Sequence, residues 1–367
     1  MLFHMEMQRL NVTGGDISKE PSESGIFRHV RFPRQRCLVV LVLLSVWVLM
    51  IFLVTNLVTL HTSLTPFWQL GGQGETPYTN NSEREFFSPY HVAYPQSYQF
   101  ILDEPDECHD QSPFLLLMVP VAPGNLVARE DIRRTWGNES MVLGQAVRLF
   151  FLLGLPSGEG AERLQEEVLL ESRQYHDLLQ SDFKDSYFNL TIKTMVMLEW
   201  LASRCSGASF AMKIDSDMFL NVHNLVHMLI DPTTPKSNFI TGKFSLNNRA
   251  VRDRTSKWYI PAKVYPNSKF PPYLLGNGYV FSIDLTQKIV EASKHVRAIF
   301  LEDVYLGMCL KHLRVVASNP PSSTLFKLSM PYIHNRCHYS TVITTEMDHV
   351  SDLLRVWQDL QSPGTSC

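Results

Sequence analysis

Two apolar patterns alternate along the chain. Short unbroken runs, FLLLMV at Phe114–Val119, RLFFLL at Arg148–Leu153 and FAMKI at Phe210–Ile214, have the length and continuity of strands buried on both faces. Between and after them apolar residues recur at helical spacing. Ala161–Tyr175 and Asn189–Ser203 read as amphipathic helices, as do Leu285–Ser293, Asp303–Leu313 and Asp348–Leu360, and a short helix is expected near Arg129–Trp136. Strands that alternate with helices of this length predict an α/β domain with a mixed, mostly parallel sheet covered by helices. Ligands of such sheets bind at the carboxyl ends of the strands.

The longest apolar stretch follows neither pattern. Between Arg36 and Glu75 there is no Asp, Glu, Lys or Arg, and Leu38–Val54 is apolar apart from Ser45. Extended to Leu60, the run measures roughly 34 Å as a helix at about 1.5 Å per residue, enough to cross a bilayer. A cleaved signal peptide would have an apolar region of about 7–15 residues near the N-terminus. Arg28, Arg31, Arg34 and Arg36 precede the run and no Lys or Arg follows until Arg84, so the basic side is expected to stay cytosolic. The expectation is a single-pass membrane protein: a tail over 1–36, an N-terminal transmembrane helix over 37–60, a proline-broken stem over 61–112 and a lumenal globular domain over 113–367.

Composition agrees with this picture. Hydrophobic residues make up 45% of the chain and charged ones 19%, which excludes a disordered polymer. The formal net charge of −3 argues against a nucleic-acid partner. Sequons stand at Asn80, Asn138 and Asn189, all beyond the expected span. Of six Cys, five lie beyond it and none form a C-x-x-C pair, so disulfides are expected, with at least one thiol free or paired between chains.

The chemistry concentrates at Lys213–Asn221, KIDSDMFLN. Here an apolar strand delivers Asp215 and Asp217 at its carboxyl end, with Ser216 between them. Acids so close repel one another unless a cation compensates, and carboxylate oxygens suit hard ions such as Mn²⁺ that bridge phosphates. A turn with capping Asp residues would use the same letters. A second acidic pair, Glu302-Asp303, opens a helix, where it would also favour the helix dipole.

These segments and several others resemble the beta-1,3-galactosyltransferase family, type II Golgi membrane enzymes with the fold called GT-A. The blocks that carry the resemblance are IRRTWG (Ile132–Gly137), DSYFNLTIKT (Asp185–Thr194), KIDSDMFLN, SKWYIP (Ser256–Pro261), YPNSKFPPY (Tyr265–Tyr273), GNGYVFS (Gly276–Ser282) and LEDVYLG (Leu301–Gly307), in family order from about Cys108 to Cys367. The resemblance implies an inverting transfer of a hexose, most readily galactose from UDP-galactose, in β-1,3 linkage to a glycan acceptor on protein or lipid. It implies that Asp217 holds Mn²⁺ against the diphosphate of the UDP-sugar, with Asp215 and Ser216 beside it. Asp303 would be the general base, with Glu302 next to it. Arg133, Lys193, Gly276 and Gly278 would serve the donor, and Trp258 and Tyr259 would line the acceptor sugar.

The chain departs from the family pattern twice. Where the family often has I-T-x-H, a third metal contact, Ile343-Thr344-Thr345-Glu346 places Glu346, which can ligate through oxygen. Where it commonly has P-P-F-C-S-G, Pro271-Pro272-Tyr273-Leu274-Leu275-Gly276 lacks the Cys, which accounts for the odd count. Two other readings stay open at this stage: transfer of N-acetylglucosamine from UDP-GlcNAc, and a non-catalytic relative that binds glycans or chaperones another transferase. Association with a second copy or with other Golgi transferases is equally open.

Overall fold

The computed structural model describes residues 47, 90–108, 112–329, 335–347, 352–363 and 367. The chain divides into two units, Met1–Tyr78 and Thr79–Cys367. Only helical Trp47 is described in the first, so the rest of the expected span over 37–60, the stem as far as residue 89 and Asn80 lie outside the described residues. Among the described residues no helix is long and apolar enough to cross a membrane.

In chain order the second unit contains β1 (Phe100–Leu102), β2 (Leu115–Pro120), α1 (Leu126–Arg133), β3 (Met141–Val142), β4 (Gln145–Leu155), α2 (Ala161–Tyr175), β5 (Leu178–Lys184), α3 (Leu190–Arg204), β6 (Phe210–Ile214), β7 (Met218–Leu220) and α4 (Val222–Ile230). It continues with β8 (Ile240–Phe244), β9 (Leu274–Ser282), α5 (Asp284–Ser293), α6 (Glu302–Leu313), α7 (Arg336–Thr341), β10 (Thr344–Glu346) and α8 (Asp352–Gln361). The sheet order is β1-β5-β4-β2-β6-β9-β8, with β3 hairpinned onto β4. Pairings β5–β4, β4–β2 and β2–β6 are parallel; β1 and β9 run the other way. The sheet is therefore mixed around a parallel centre.

The unbroken apolar runs behave as strands buried on both faces must. Successive residues point to opposite sides, and the sequence supplies apolar groups to both. Leu116, Met118, Phe150 and Leu152 pack under α3, α5 and α6, against Trp200, Ile289 and Leu306. Leu117, Val119, Phe151 and Leu153 pack on the other face with Ile132 of α1, Leu225 of α4 and Val356 of α8. The helix over Ala161–Tyr175 forms as expected, and the last helix starts at Asp352, with residues 348–351 outside the described set.

Disulfides join Cys108 to Cys205 and Cys337 to Cys367. Cys309 is left as a buried thiol, as the odd count requires. Burial pushes its pKa up to about 12, which keeps it unreactive.

GNGYVFS carried no strand expectation in the sequence, yet β9 runs through it, antiparallel to β6 in the register Lys213↔Tyr279 and Ile214↔Gly278. Because β9 is antiparallel, its first residues lie beside the carboxyl end of β6. Helix α6 then packs closely on that end: a Cβ on Gly307 would stand 2.7 Å from Tyr273 Cβ and 3.1 Å from Pro272 O. Gly307→Ala is expected to cost about 1–3 kcal/mol through this overlap. Thermal unfolding checks it, with a fall in Tm of several degrees.

Candidate active site

The Asp215-Ser216-Asp217 turn is pinned at both ends. Asp215 N–H donates to Asn277 O at 3.1 Å, and Met218 N–H donates back to Asp215 O at 3.2 Å. Asp217 O accepts from Met347 N–H at 2.9 Å, where β7 pairs with β10. Behind the turn lies Lys213, a buried lysine on an otherwise apolar strand. Its Nζ is 2.7 Å from Asp215 Oδ1 and 3.1 Å from Glu302 Oε1, and it also donates to Gly276 O. Glu302 Oε2 accepts from Thr194 Oγ1 at 3.2 Å and from Tyr279 OH at 3.4 Å. Asp303 Oδ1 accepts from Val304 N–H at 2.8 Å, within the first turn of α6.

Burial dominates the electrostatics. It pushes the Glu302 carboxyl up to about 7, even though Lys213 beside it favours the charged form. Burial also raises Asp303, and desolvation together with the neighbouring Asp215 raises Asp217, although Asp217 as a residue is exposed. Lys213 runs the other way: burial favours the neutral amine, but the carboxylates of Asp215 and Glu302 hold its pKa above the ordinary value.

Two cavities meet here. One, of about 550 Å³, is lined by Asp215, Glu302, Asp303, Arg249, Trp258 and Tyr273 among others. The second, of about 510 Å³, lies where β2 and β4 end, with Val121, Asn125, Asp185, Lys193 and Ser216 in its wall. Asp215, Tyr187 and Leu190 belong to both. The arrangement offers an acidic cleft at the strands' carboxyl ends, next to a pocket large enough for a nucleotide.

A galactosyltransferase family model matches residues 127–321. The chain belongs to the galactosyltransferase family. It is 40% identical over 306 residues to beta-1,3-galactosyltransferase 2 of Pongo abelii and 39% identical over 306 residues to that of Homo sapiens, covering 82% of this chain and 71% of each relative. It is 37% identical over 269 residues to beta-1,3-galactosyltransferase 1 of Mus musculus, covering 73% of this chain and 80% of the relative. Among solved structures it is similar to galactosyltransferase LgtC in complex with donor and acceptor sugar analogs, at 12% identity and a TM-score of 0.36, covering 68% of this chain and 97% of that one.

In this galactosyltransferase, side-chain partners separate the candidate residues. Asp215, Glu302, Asp303, Gly276 and half-exposed Trp258 line the first cavity, and Ser216 and Lys193 the second. Asp217 sits on the same turn, just outside both linings. Lys193 Nζ is already held by Val121 O at 2.8 Å and Asp185 Oδ2 at 2.7 Å, so it braces the second cavity's wall. Tyr259 packs edge-on against Tyr90, 5.8 Å between ring centroids, and lines neither cavity. Gly276 also leaves room for Glu302: a Cβ there would collide with Glu302 Oε1. Gly278 faces ordinary packing, 3.5 Å from Met212 Cε.

Arg133 corrects the reading from the sequence. Its guanidinium binds Asp177 and Glu171, each at 2.7 Å, under the Tyr175 ring, and it lines neither cavity. Two carboxylates already neutralise it, which leaves little charge to offer a phosphate. Glu346 is exposed on β10, opposite Met218. Among the described residues no three His, Cys, Asp or Glu side chains are grouped to hold a metal ion. Asn138 is exposed, and Asn189 Nδ2 donates to Lys184 O at 2.8 Å.

Lys213 was passed over in the sequence. Its signal was a lysine inside a run with apolar neighbours on both sides, since a buried lysine requires partners. Glu302 gives a test of the buried cluster. Its raised pKa means that the folded state holds a proton that the unfolded state releases between 4.5 and about 7, so the group's contribution to stability is largest below that window and falls as pH rises through it. Glu302→Gln removes this term. Melting curves across that range should show the variant gaining on the wild type as pH increases.

Proposed function

We propose that this protein catalyses an inverting β-1,3 transfer of galactose from UDP-galactose to a glycan acceptor. The observation that carries the reading is the convergence of Asp215 and Asp303, from stretches far apart in sequence, on one cavity that adjoins a nucleotide-sized pocket. Kinship with the beta-1,3-galactosyltransferases supports a hexosyltransferase of this linkage.

Asp303 is the group best placed to act as base. Glu302 is buried and bound to Lys213, Thr194 and Tyr279, whereas Asp303 is partly accessible in the cavity. Burial raises its pKa and so its basicity. In the reaction an acceptor hydroxyl oxygen bonds to the anomeric carbon while the bond to UDP breaks. UDP leaves with the electron pair, Asp303 takes the hydroxyl proton, and the anomeric centre inverts. The exposed face of Trp258 suits packing on a pyranose ring.

A divalent cation such as Mn²⁺ fits the residues present. Burial first and the neighbouring Asp215 second raise the pKa of Asp217, even though Lys213 pairs with Asp215, so a cation beside Asp217 would relieve the cost of its charge. Asp217, with Asp215 beside it, would hold the ion, because hard cations bound with phosphates need only one or two carboxylates. When bound, it would neutralise charge on the departing diphosphate. Disulfides Cys108–Cys205 and Cys337–Cys367 support an oxidising compartment, and the apolar run over 37–60 supports a single-pass anchor in the Golgi membrane with this domain in the lumen.

The test is transfer and UDP release by the full-length protein with UDP-galactose, Mn²⁺ and a glycan panel. Asp303→Asn is expected to lower kcat by about 10²–10⁴-fold with unchanged circular dichroism. Asp217→Ala should abolish the response to added Mn²⁺. Near-normal turnover in Asp303→Asn would remove its assignment as base, and the absence of UDP release from wild type would remove the reading as a whole.

A further inference from the structure

Trp258 owes its place in the first cavity to a segment with no helix or strand of its own. Between Phe244, the end of β8, and Leu274, the start of β9, the chain forms no regular element. Yet it brings Asn247, Arg249, Lys257, Trp258, Phe270 and Tyr273 to the first cavity, and no residue to the second. A loop of this length keeps one shape only if other bonds tie it down. Its base is closed by Ser245 N–H to Tyr273 O at 3.1 Å, Phe270 N–H to Asn248 O at 2.7 Å and Ala250 N–H to Ser268 O at 3.0 Å. Beyond the base it divides into two arms, residues 251–260 and 261–268.

The first arm carries Trp258 at its tip. Ile260 N–H donates to Val251 O at 3.0 Å across the neck, and Asp253 Oδ1 accepts from Thr255 N–H at 3.0 Å and from Thr255 Oγ1 at 2.8 Å. Ser256 N–H donates to Asp253 O at 3.2 Å, and Trp258 N–H to Ser256 Oγ at 3.2 Å. These bonds fold the tip on itself; Arg252 fastens it to the second arm. One terminal nitrogen of Arg252 donates to Ile260 O, and the other to Tyr265 O at 2.6 Å and Asn267 O at 2.8 Å. Ile260 and Tyr265 belong to the core, so the guanidinium ties the tip to buried anchors. Its planar fork serves carbonyls in several fixed directions, which the compact ammonium of a lysine does not reproduce. Arg252 is itself exposed and lines neither cavity of the site.

We propose that Arg252 is a positioning residue for the acceptor: by holding Trp258 over the cleft it sets the affinity for the acceptor sugar and leaves the donor side alone. The proposal rests on the reading above in which Trp258 packs on the acceptor. The loop reaches the cavity of Asp303 but not the pocket beside Ser216, so loosening it is felt on the acceptor side.

The experiment compares full-length wild type with Arg252→Lys, Arg252→Gln, Trp258→Ala and the double variant Arg252→Lys/Trp258→Ala. Methyl glycosides of galactose, N-acetylgalactosamine and N-acetylglucosamine serve as acceptor probes. Arg252→Lys is expected to raise the acceptor KM about tenfold, the worth of one aromatic contact, with kcat and acceptor-free release of UDP unchanged. Trp258→Ala should raise KM likewise, and adding Arg252→Lys to it should cost nothing further, because both act through the same ring. Arg252→Gln repeats the comparison with a neutral side chain. An unchanged acceptor KM in both Arg252 variants overturns the proposal, as do losses that multiply in the double variant or a parallel fall in acceptor-free UDP release. Loss of the native circular dichroism in both also overturns it, since Arg252 would then hold the domain and not the tip. Direct titration of the glycosides without donor separates the two readings. A wild type that binds them more tightly than Arg252→Lys yet releases no UDP sinks the transfer reading and leaves the positioning role standing.

Discussion

One buried ammonium group holds the catalytic end of this protein together. Lys213 Nζ contacts a carboxylate on the Asp215 turn, a carboxylate at the start of α6 and a carbonyl at the start of β9. A lysine in such a position would lose its proton to desolvation were the two acids absent, and the acids would be left as uncompensated buried charges were the lysine absent. Each needs the others, so the turn and the helix cannot shift independently. The distance between the proposed metal side and the proposed base is set by this shared atom more than by either loop.

The direction of β9 makes that meeting geometrically available. A parallel neighbour of β6 would bring its carboxyl end to the site and leave its first residues at the far side of the sheet. Running antiparallel, β9 brings Leu274–Asn277 there, where Gly276 has no side chain to obstruct Glu302. Gly307 then lets α6 lie against Tyr273. Two glycines and one strand reversal thus convert residues far apart in sequence into one cluster.

Much of this was legible in the sequence where a segment's fate depends on itself. FLLLMV is apolar at every position and FAMKI at all but Lys213, which marks both as strands, and Ala161–Tyr175 carries its own helical period. The acid pairs were visible because two neighbouring carboxylates are costly anywhere. What failed to show was decided by partners. In β9, Gly-Asn-Gly interrupts the pattern, and only pairing with β6 and β8 makes it a strand. Arg133 and Tyr259 took their expected roles from the matching blocks they stand in, but Glu171 and Asp177 hold the first and Tyr90 packs on the second.

The distribution of charge bears on why Asp303 and Glu302, adjacent in sequence, would play different parts. Both sit at the N-terminus of α6, where the helix dipole favours negative charge, yet burial raises the pKa of each. Glu302 is fully enclosed and its oxygens are occupied by Lys213, Thr194 and Tyr279. Asp303 has one oxygen held by the backbone of Val304 and reaches the cavity, so it can accept a proton without dismantling the cluster. The same burial that leaves Glu302 less accessible than Asp303 lets it anchor Lys213, and so hold Asp215 where the donor side needs it.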